Sequence, residues 1–245
     1  PLRPRTIWKR EVALGSVEKL CFTAEKRADV PAYLCLPRTA KPPYPFVICL
    51  QGHTTGMHCS LGLSRDERRR VRTAGDRDYA LQALRNGVAA LCIEQRSLGQ
   101  RSERLQERHC WYNDCHDAAM QALALGRTLL GERVFDVDRA LDYLELRGDA
   151  DPQRIGVLGN SGGGTVALYA AALLPRIQLA VLSCSFCSFD DSILAMYHCA
   201  DNYVPGLRRF ADAGDVLALV APRPVIVVAG RDDELFPLPG VRRAF

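Results

Sequence analysis

The sequence predicts an α/β fold built on a doubly wound, mostly parallel β-sheet. Short apolar runs alternate with segments of helical character along the 245 residues, which is the pattern of parallel strands joined by helices. A glycine-rich turn, residues 159–164, connects one of these apolar runs directly to a helix-forming segment. Hydrophobic residues make up 48% and charged residues 24% of the chain, a balance that suits a globular α/β domain.

Six short apolar runs are predicted as strands of the sheet. Their Val, Ile, Leu, Ala and Cys content favours strands that are buried between layers of helices. The runs are Ala32–Leu36, Phe46–Leu50, Ala89–Ile93, Arg154–Leu158, Leu179–Ser183 and Val225–Ala229. The earlier segment Ile7–Thr23 is predicted to supply antiparallel edge strands.

Three helices are predicted between these strands. Asp78–Arg85 forms the first, and Glu132–Arg147 forms the second, which carries an apolar stripe and ends before Gly148. Thr165–Leu174 forms the third, and Pro175 ends it. Each helix follows one apolar run and precedes another, as a doubly wound sheet requires.

We predict a single domain over residues 1–245, because no internal repeat or low-complexity linker interrupts the sequence. The connections 95–131 and 184–219 exceed ordinary loop length, and we expect them to form lid-like insertions over the active site. No apolar run approaches the roughly 20 residues that a membrane span needs. The net charge of +4 is mild, and we interpret the arginine-rich run 65–72 as a surface helix rather than a nucleic-acid site.

The ten cysteines of the chain favour a reducing compartment. Cys35, Cys49 and Cys92 lie inside predicted strands, where a free thiol behaves as a small hydrophobic side chain. Disulfide scaffolds are typical of secreted proteins instead. We therefore predict a cytoplasmic protein.

Two cysteine-containing groups have alternative functions. The first holds four potential zinc ligands in one contiguous stretch, namely His109, Cys110, Cys115 and His116. Structural zinc sites draw their ligands as two separated pairs, so we predict no metal site, and zinc is the alternative. Cys184 and Cys187 form a C-x-x-C motif without the thioredoxin context, which leaves a redox role as a second alternative.

Residues 159–163 form a G-x-S-x-G pentapeptide, which is typical of the nucleophile elbow of α/β-hydrolases. Small neighbours permit the strained turn that lifts Ser161 Oγ clear of the sheet. The N–H of Gly162 then lies at a helix N-terminus, where it can stabilise a developing oxyanion. We predict Ser161 as the nucleophile and Gly162 as an oxyanion-hole donor of an α/β-hydrolase fold.

The loop Gln51–His53 directly follows the predicted strand Phe46–Leu50. In α/β-hydrolases the loop at this position supplies the second oxyanion-hole N–H. We expect the main chain of His53 to be that donor. A turn in which His53 is only exposed is the alternative.

Asp233 is the predicted triad acid, because it follows the predicted strand Val225–Ala229 at the edge of the sheet where functional groups gather. The triad of this fold runs serine, acid, histidine along the chain, yet all five histidines precede Asp233. We therefore expect a C-terminally truncated chain whose catalytic histidine lies beyond residue 245. A base relocated to His198 is the alternative.

Several segments resemble the acetyl-xylan-esterase-like bacterial α/β-hydrolases. The resemblance is most specific at the elbow, and its segments are 126–137, 151–165, Gln51–His53, Glu94–Arg96 and Ala221–Pro224 through to Asp233. It implies that Ser161 is the nucleophile, that Asp233 is the acid, and that Gly162 and His53 are the oxyanion donors. It also implies carboxylester hydrolysis without a cofactor.

We therefore expect a serine hydrolase that cleaves a carboxylic ester, such as an acetyl group on a carbohydrate. The expected partners are small-molecule or carbohydrate esters, with no nucleic acid and no membrane. Two alternatives remain open. One is an oligopeptidase-type serine peptidase domain, which shares the elbow and the acid, and the other is a catalytically inactive member that binds ligands.

Overall fold

An eight-stranded sheet forms the centre of the structure, a computed structural model that describes residues 1–102 and 115–245. Its strands lie in the order β1-β2-β3-β5-β4-β6-β7-β8. Their bounds are β1 Arg5–Val12, β2 Gly15–Glu25, β3 Ala28–Pro37, β4 Tyr44–Leu50, β5 Ala89–Ile93, β6 Ala150–Asn160, β7 Leu179–Ser183 and β8 Val225–Val228. Strands β4 to β8 pair with one another in parallel. The pairs β1–β2 and β2–β3 are antiparallel.

Helices cover both faces of this sheet. They are α1 Tyr79–Arg85, α2 His116–Ala124, α3 Leu129–Arg147, α4 Gly162–Leu173, α5 Ala213–Ala218 and α6 Leu238–Ala244. Alternate residues of one strand enter different cores, as the two-residue period of a strand requires. Leu34 of β3 packs in the larger core with α3, α4 and α5, whereas Cys35 packs in the smaller core with α1. No helix among residues 1–102 and 115–245 combines the length and apolar character needed to cross a bilayer.

Local signals explain where α3 begins. Thr128 caps this helix, since its side chain accepts a hydrogen bond from Gly131 N, and Gly148 ends it in the left-handed conformation at φ 74°. The predicted start at Glu132 is therefore wrong by three residues, because the capping threonine precedes the apolar stripe.

All six predicted strands are present, but two differ in character from the prediction. Ala32–Leu36 belongs to β3, which is antiparallel to both of its neighbours: a short turn joins it to β2, and no helical crossover of the kind that parallel strands need connects it to that strand. Val225–Ala229 contains the parallel strand β8, yet Ile226 is 51% exposed rather than buried. This exposure follows from the position of β8 at the edge of the described sheet.

The arginine-rich run 65–72 is not a helix. It consists of turns closed by a bridge between Leu63 and Arg70, and most of its side chains are exposed. Ser64 sets the first turn, because its Oγ hydrogen bonds to Asp66 and accepts from Arg69 N. Local side-chain bonds of this kind compete with helix formation.

The two long connections carry short helices. Connection 95–131 includes a 3₁₀ turn and α2 within its described residues, and 184–219 includes three 3₁₀ turns and α5. Cys35, Cys49 and Cys92 are fully buried, and the cysteines in the described part of the chain are free thiols. His109 and Cys110, two of the four potential zinc ligands, lie outside the described residues.

Candidate active site

Ser161 occupies a strained turn between β6 and α4. Its backbone has φ 52° and ψ −126°, in the positive-φ region that serine rarely adopts. The turn is held at both ends, since Ser161 N donates to Ser183 O at 2.8 Å and Ser161 O accepts from Gly164 N at 2.7 Å. Ser161 itself is only half-buried, so the turn presents it at the carboxyl end of the sheet.

The glycines around Ser161 are required by close backbone packing. A Cβ on Gly159 would lie 2.6 Å from Gly164 N, and one on Gly163 would lie 2.6 Å from Gln51 O. Neither neighbour is a side chain that could move away. Residues without a Cβ at these two positions therefore let β6, α4 and the end of β4 meet here.

The loop after β4 runs directly against the serine. A Cβ on Gly52 would lie 3.1 Å from Ser161 Cβ and 2.9 Å from Asn160 O. The His53 ring packs over Gly162, because a Cβ on Gly162 would lie 2.8 Å from His53 Nδ1. The structure thus brings together three of the predicted site residues, and the donor roles of Gly162 and His53 stay predictions.

Side-chain amides of Gln95, just after β5, and of Gln51 itself fix this loop. Gln95 Nε2 donates to Gln51 O, and Gln51 Nε2 donates at 2.8 Å to both Ser60 Oγ and Arg77 O. Gln51 and Gln95 are both buried. Contacts with Gln95, Ser60 and Arg77 therefore hold the main chain next to Ser161 in place.

Glu94 fastens the far end of the same loop. Its two carboxylate oxygens accept from Met57 N at 2.9 Å and from Gln100 N at 3.0 Å. Burial raises the pKa of Glu94 to about 7, although the two N–H bonds act in the opposite direction. Gly99, whose φ is 50°, leaves room for the carboxylate of Glu94, because a Cβ at this position would collide with it.

The His53 side chain belongs to a buried row of charged side chains. Its Nε2 lies 3.0 Å and 3.1 Å from the two oxygens of Asp201, which is in the 3₁₀ turn Ala200–Asn202. Asp201 also forms an ion pair with Arg133 of α3. Arg133 is 1% exposed, and its Nε and Nη2 donate to Arg96 O at 3.0 Å and 2.8 Å.

The charged side chains of Arg133, Asp201 and His53 stabilise one another. Burial opposes protonation of His53, but its hydrogen bonds to Asp201, Cys115 and Cys199 outweigh burial and raise the pKa of the imidazole. Burial alone would raise the pKa of Asp201, yet the charges of Arg133 and His53 hold it well below its usual range. The arrangement is thus an arginine–carboxylate–imidazolium row that ends at Gly162.

Three potential metal ligands meet in this row, but a cation is already present. The ligand atoms of His53, Cys115 and Asp201 lie within 4.8 Å of one another. Arg133 pairs with Asp201, and its Nη2 lies 3.1 Å from Cys115 Sγ. A divalent ion there would face the guanidinium at close range, so the donor set does not fit a metal. His116, the other described residue among the four potential zinc ligands, contacts Asp117 at 3.0 Å.

Asp233 lies in the loop between β8 and α6. Its Oδ1 accepts from Leu235 N and Phe236 N, each at 3.0 Å, which shapes the loop as a tight turn. Oδ2 takes part in neither bond. The structure therefore places Asp233 after β8 as predicted, and its role as the triad acid stays a prediction.

His198 packs against the same loop. Ser192 Oγ donates to Leu235 O, so the 3.0 Å contact between His198 Nε2 and Ser192 Oγ requires the imidazole to donate. The ring also meets Phe236 edge-on at 5.3 Å between centroids. Burial lowers the pKa of His198. Its Nε2 is therefore committed to Ser192 rather than to Ser161.

Asp201, Arg133 and Glu94 are site residues that the sequence analysis missed or left without a role. The partners in the charged row are 148 and 68 residues apart, and no local pattern connects them. Arg133 lies four residues before Val137 on the buried face of α3, but an arginine is seldom fully buried and its sequence names no partner that would pair with it there. Glu94 enters only as part of the resemblance.

Solved structures of esterases share this fold. A protein of Bacteroides fragilis NCTC 9343, described provisionally as an acetyl xylan esterase, gives a TM-score of 0.80 at 19% identity, over 98% of this chain and 66% of the other. The glucuronoyl esterase of Solibacter usitatus gives 0.67 at 18% identity, over 100% and 71% of the two chains. Acetyl xylan esterase 1 of Thermoanaerobacterium sp. JW/SL YS485 gives 0.63 at 19% identity, over 100% and 77%.

Sequence comparison agrees with this likeness. YtaP of Bacillus subtilis (strain 168), which carries a provisional hydrolase name, is 29% identical over 248 residues that cover 98% of this chain and 78% of YtaP. The predicted α/β-hydrolase fold and the resemblance to acetyl-xylan-esterase-like hydrolases are confirmed. The sequence profile of the Abhydrolase family matches residues 15–245, and the chain therefore belongs to that family.

Proposed function

We propose that this esterase-like hydrolase is a serine carboxylesterase whose nucleophile is Ser161. The observation that carries the proposal is the strained backbone of Ser161 with the loop Gln51–His53 packed against it. Strain of this kind persists where surrounding structure fixes it, and it concentrates at functional sites. An esterase needs a nucleophile and two N–H donors in that arrangement.

In the proposed reaction Ser161 Oγ attacks the acyl carbon of the ester and gives up its proton. The negative charge that develops on the carbonyl oxygen is held by the N–H groups of Gly162 and His53. Collapse of this intermediate breaks the ester bond, and the alcohol leaves with a proton. Water then attacks the acyl-enzyme, which releases the acid and regenerates Ser161.

Asp233 is the proposed acid of the triad. Its Oδ1 is occupied by two backbone N–H groups, which leaves Oδ2 to orient an imidazole. Neither His53 nor His198 suits the role of base, because their Nε2 atoms contact Asp201 and Ser192. We propose, from the order of serine, acid and histidine in this fold, that the base is a histidine beyond residue 245.

The proposed substrate is an ester of a carbohydrate, and acetyl groups are the first candidates. The structural relatives are named as acetyl xylan esterases and glucuronoyl esterases, so a sugar carries the ester in both types of name. In an acetylated sugar the small acyl part would enter toward the half-buried Ser161 while the sugar stays outside.

Labelling with a fluorophosphonate probe tests the nucleophile. In the full-length protein the probe should react with Ser161, and Ser161→Ala should abolish both labelling and acetyl-ester hydrolysis. Ser185→Ala is the matched control, because this buried serine lies beside Gly164 and its hydroxyl has no hydrogen-bond partner among residues 1–102 and 115–245. Labelling that persists in Ser161→Ala would assign the nucleophile elsewhere, and absence of labelling in the full-length protein would favour a ligand-binding protein.

A further inference from the structure

We propose that His53 is a positioning residue whose side chain, paired with Asp201, holds the oxyanion loop Gln51–Thr55 in register with Gly162. Arg133 anchors Asp201 in this arrangement. The inference rests on the proposed function, since it concerns the spacing of the two N–H donors. It assigns a role to the His53 side chain that is separate from the donor role of its main chain.

The first support is the contact between the ring and Gly162. A Cβ on Gly162 would lie 2.8 Å from Nδ1 and 3.1 Å from Nε2 of His53, so the ring packs against the glycine itself. A displacement that carries the ring and the His53 main chain together therefore changes the gap between the two proposed donors. Losing one oxyanion donor costs roughly 10²–10³-fold in kcat in serine hydrolases.

The second support is the rigidity of the anchor. Both oxygens of Asp201 face His53 Nε2, and Arg133 reaches the carboxylate from α3. The next residue, Asn202, accepts from Thr165 Oγ1 of α4 at 3.1 Å. Helix α3 thus contacts the carboxylate itself, and α4 holds the residue next to it in connection 184–219.

The third support is the charge around the ring. Among the residues that the structure describes, the groups that face His53 are Asp201, Cys115 and Cys199, with Arg133 behind Asp201 and His198 farther away. Asp201 is the one carboxylate among these groups. The pairing therefore favours a protonated ring, which places positive charge beside the developing oxyanion in a partly buried site.

Proton NMR of the histidine Cε1–H signals in the full-length protein tests the pairing directly. The signal assigned to His53, by its loss in His53→Gln, should show no titration between pH 5 and 9. In Asp201→Asn the same signal should titrate near or below its ordinary range of about 6.5. Ordinary titration of His53 in the unchanged protein would overturn the proposal.

Kinetics with an acetyl ester separate positioning from plain stability. Asp201→Asn should lower kcat by about 10-fold to 100-fold with little change in KM, and activity should now fall as pH rises through the pKa that the His53 signal shows in this variant. His53→Gln, which keeps a neutral donor toward Asp201, should show the kcat loss without the new pH dependence. Asp190→Asn, at an exposed ion pair with Arg208, is the control and should behave like the unchanged protein.

The outcomes distinguish this inference from the proposed function. A lower melting temperature for Asp201→Asn with unchanged kcat and pH profile would reduce His53 to a structural role. Full ester hydrolysis by Ser161→Ala would instead refute the proposed nucleophile. In that case the NMR titration would still report whether His53 and Asp201 are paired, and the positioning role would fall.

Discussion

Gly162 and His53 are in direct contact across the site, with the imidazole filling the space that a side chain at position 162 would need. A Cβ on Gly162 would lie 2.8 Å from His53 Nδ1. His53 cannot easily move aside, because Asp201 holds its Nε2 at 3.0 Å. The absence of a side chain at one residue and the fixed ring of the other are therefore parts of one arrangement.

Gly162→Ala should reduce activity through this contact. The added methyl group should displace the His53 ring and its loop, which we expect to lower kcat by about 100-fold or more. Overpacking of this kind should also destabilise the fold by about 1–3 kcal/mol. Steady-state kinetics on an acetyl ester and urea denaturation measure the two effects.

The double variant Gly162→Ala with His53→Ala provides the control. Removal of the ring relieves the clash, so the stability losses of the two single variants should not add. Simple additivity would show that the methyl group is accommodated without displacing His53.

Glu94 should make stability depend on pH. Its pKa is raised to about 7, so between pH 4.5 and 7 the folded state binds more protons at this group than the unfolded state does. Its contribution to the free energy of unfolding should therefore fall as pH rises through that window, by about 3 kcal/mol in total. Glu94→Gln should remove this dependence.

Urea denaturation of both proteins at several values between pH 4.5 and 8 measures the effect as a difference. The comparison cancels other titrating groups, because only position 94 changes. In Glu94→Gln the new amide would keep one acceptor for Met57 N but turn an N–H toward Gln100 N, so the variant should be less stable at every pH. Parallel stability curves for the two proteins would contradict the assignment.

Removal of Arg133 should be costly. The substitution Arg133→Met leaves the buried Asp201 with one cationic partner and removes two bonds to Arg96 O. Breaking a buried pair in this way costs about 3–5 kcal/mol. Arg208→Met is the matched control, because its pair with Asp190 is exposed and should matter little. Similar midpoints of chemical denaturation for the two variants would contradict the buried role of Arg133.

The elbow could be predicted because all its requirements are local. The apolar residues of β6, the small residues around Ser161 and the helix formers of α4 are contiguous, so one stretch specifies strand, turn and helix. The row Arg133–Asp201–His53 could not be predicted in the same way. Its members come from α3, a 3₁₀ turn and a loop, and only the assembled sheet brings them together.

Strand direction is a second limit. An apolar run indicates burial but carries no information on whether its neighbour runs parallel, so the prediction of β3 as a parallel strand is wrong. The exposed side of β8 could not be predicted either. Whether a strand is buried on both faces depends on the elements packed beside it, and its own apolar sequence does not specify them.

The free side of β8 should make this 245-residue chain self-associate. In the described sheet β8 pairs with β7 along one side, and Ile226 and Val228 are 51% and 47% exposed. An unprotected apolar edge offers N–H and C=O groups for pairing with another chain.

Ile226→Lys should suppress this association, since a charge at the middle of the edge opposes pairing. Leu219→Lys, at a residue that is 62% exposed but outside the strand, should not suppress it. Sedimentation velocity across a range of concentrations measures the effect. A chain that stays monomeric at every concentration, or equal behaviour of the two lysine variants, would show that β8 is not the associating edge.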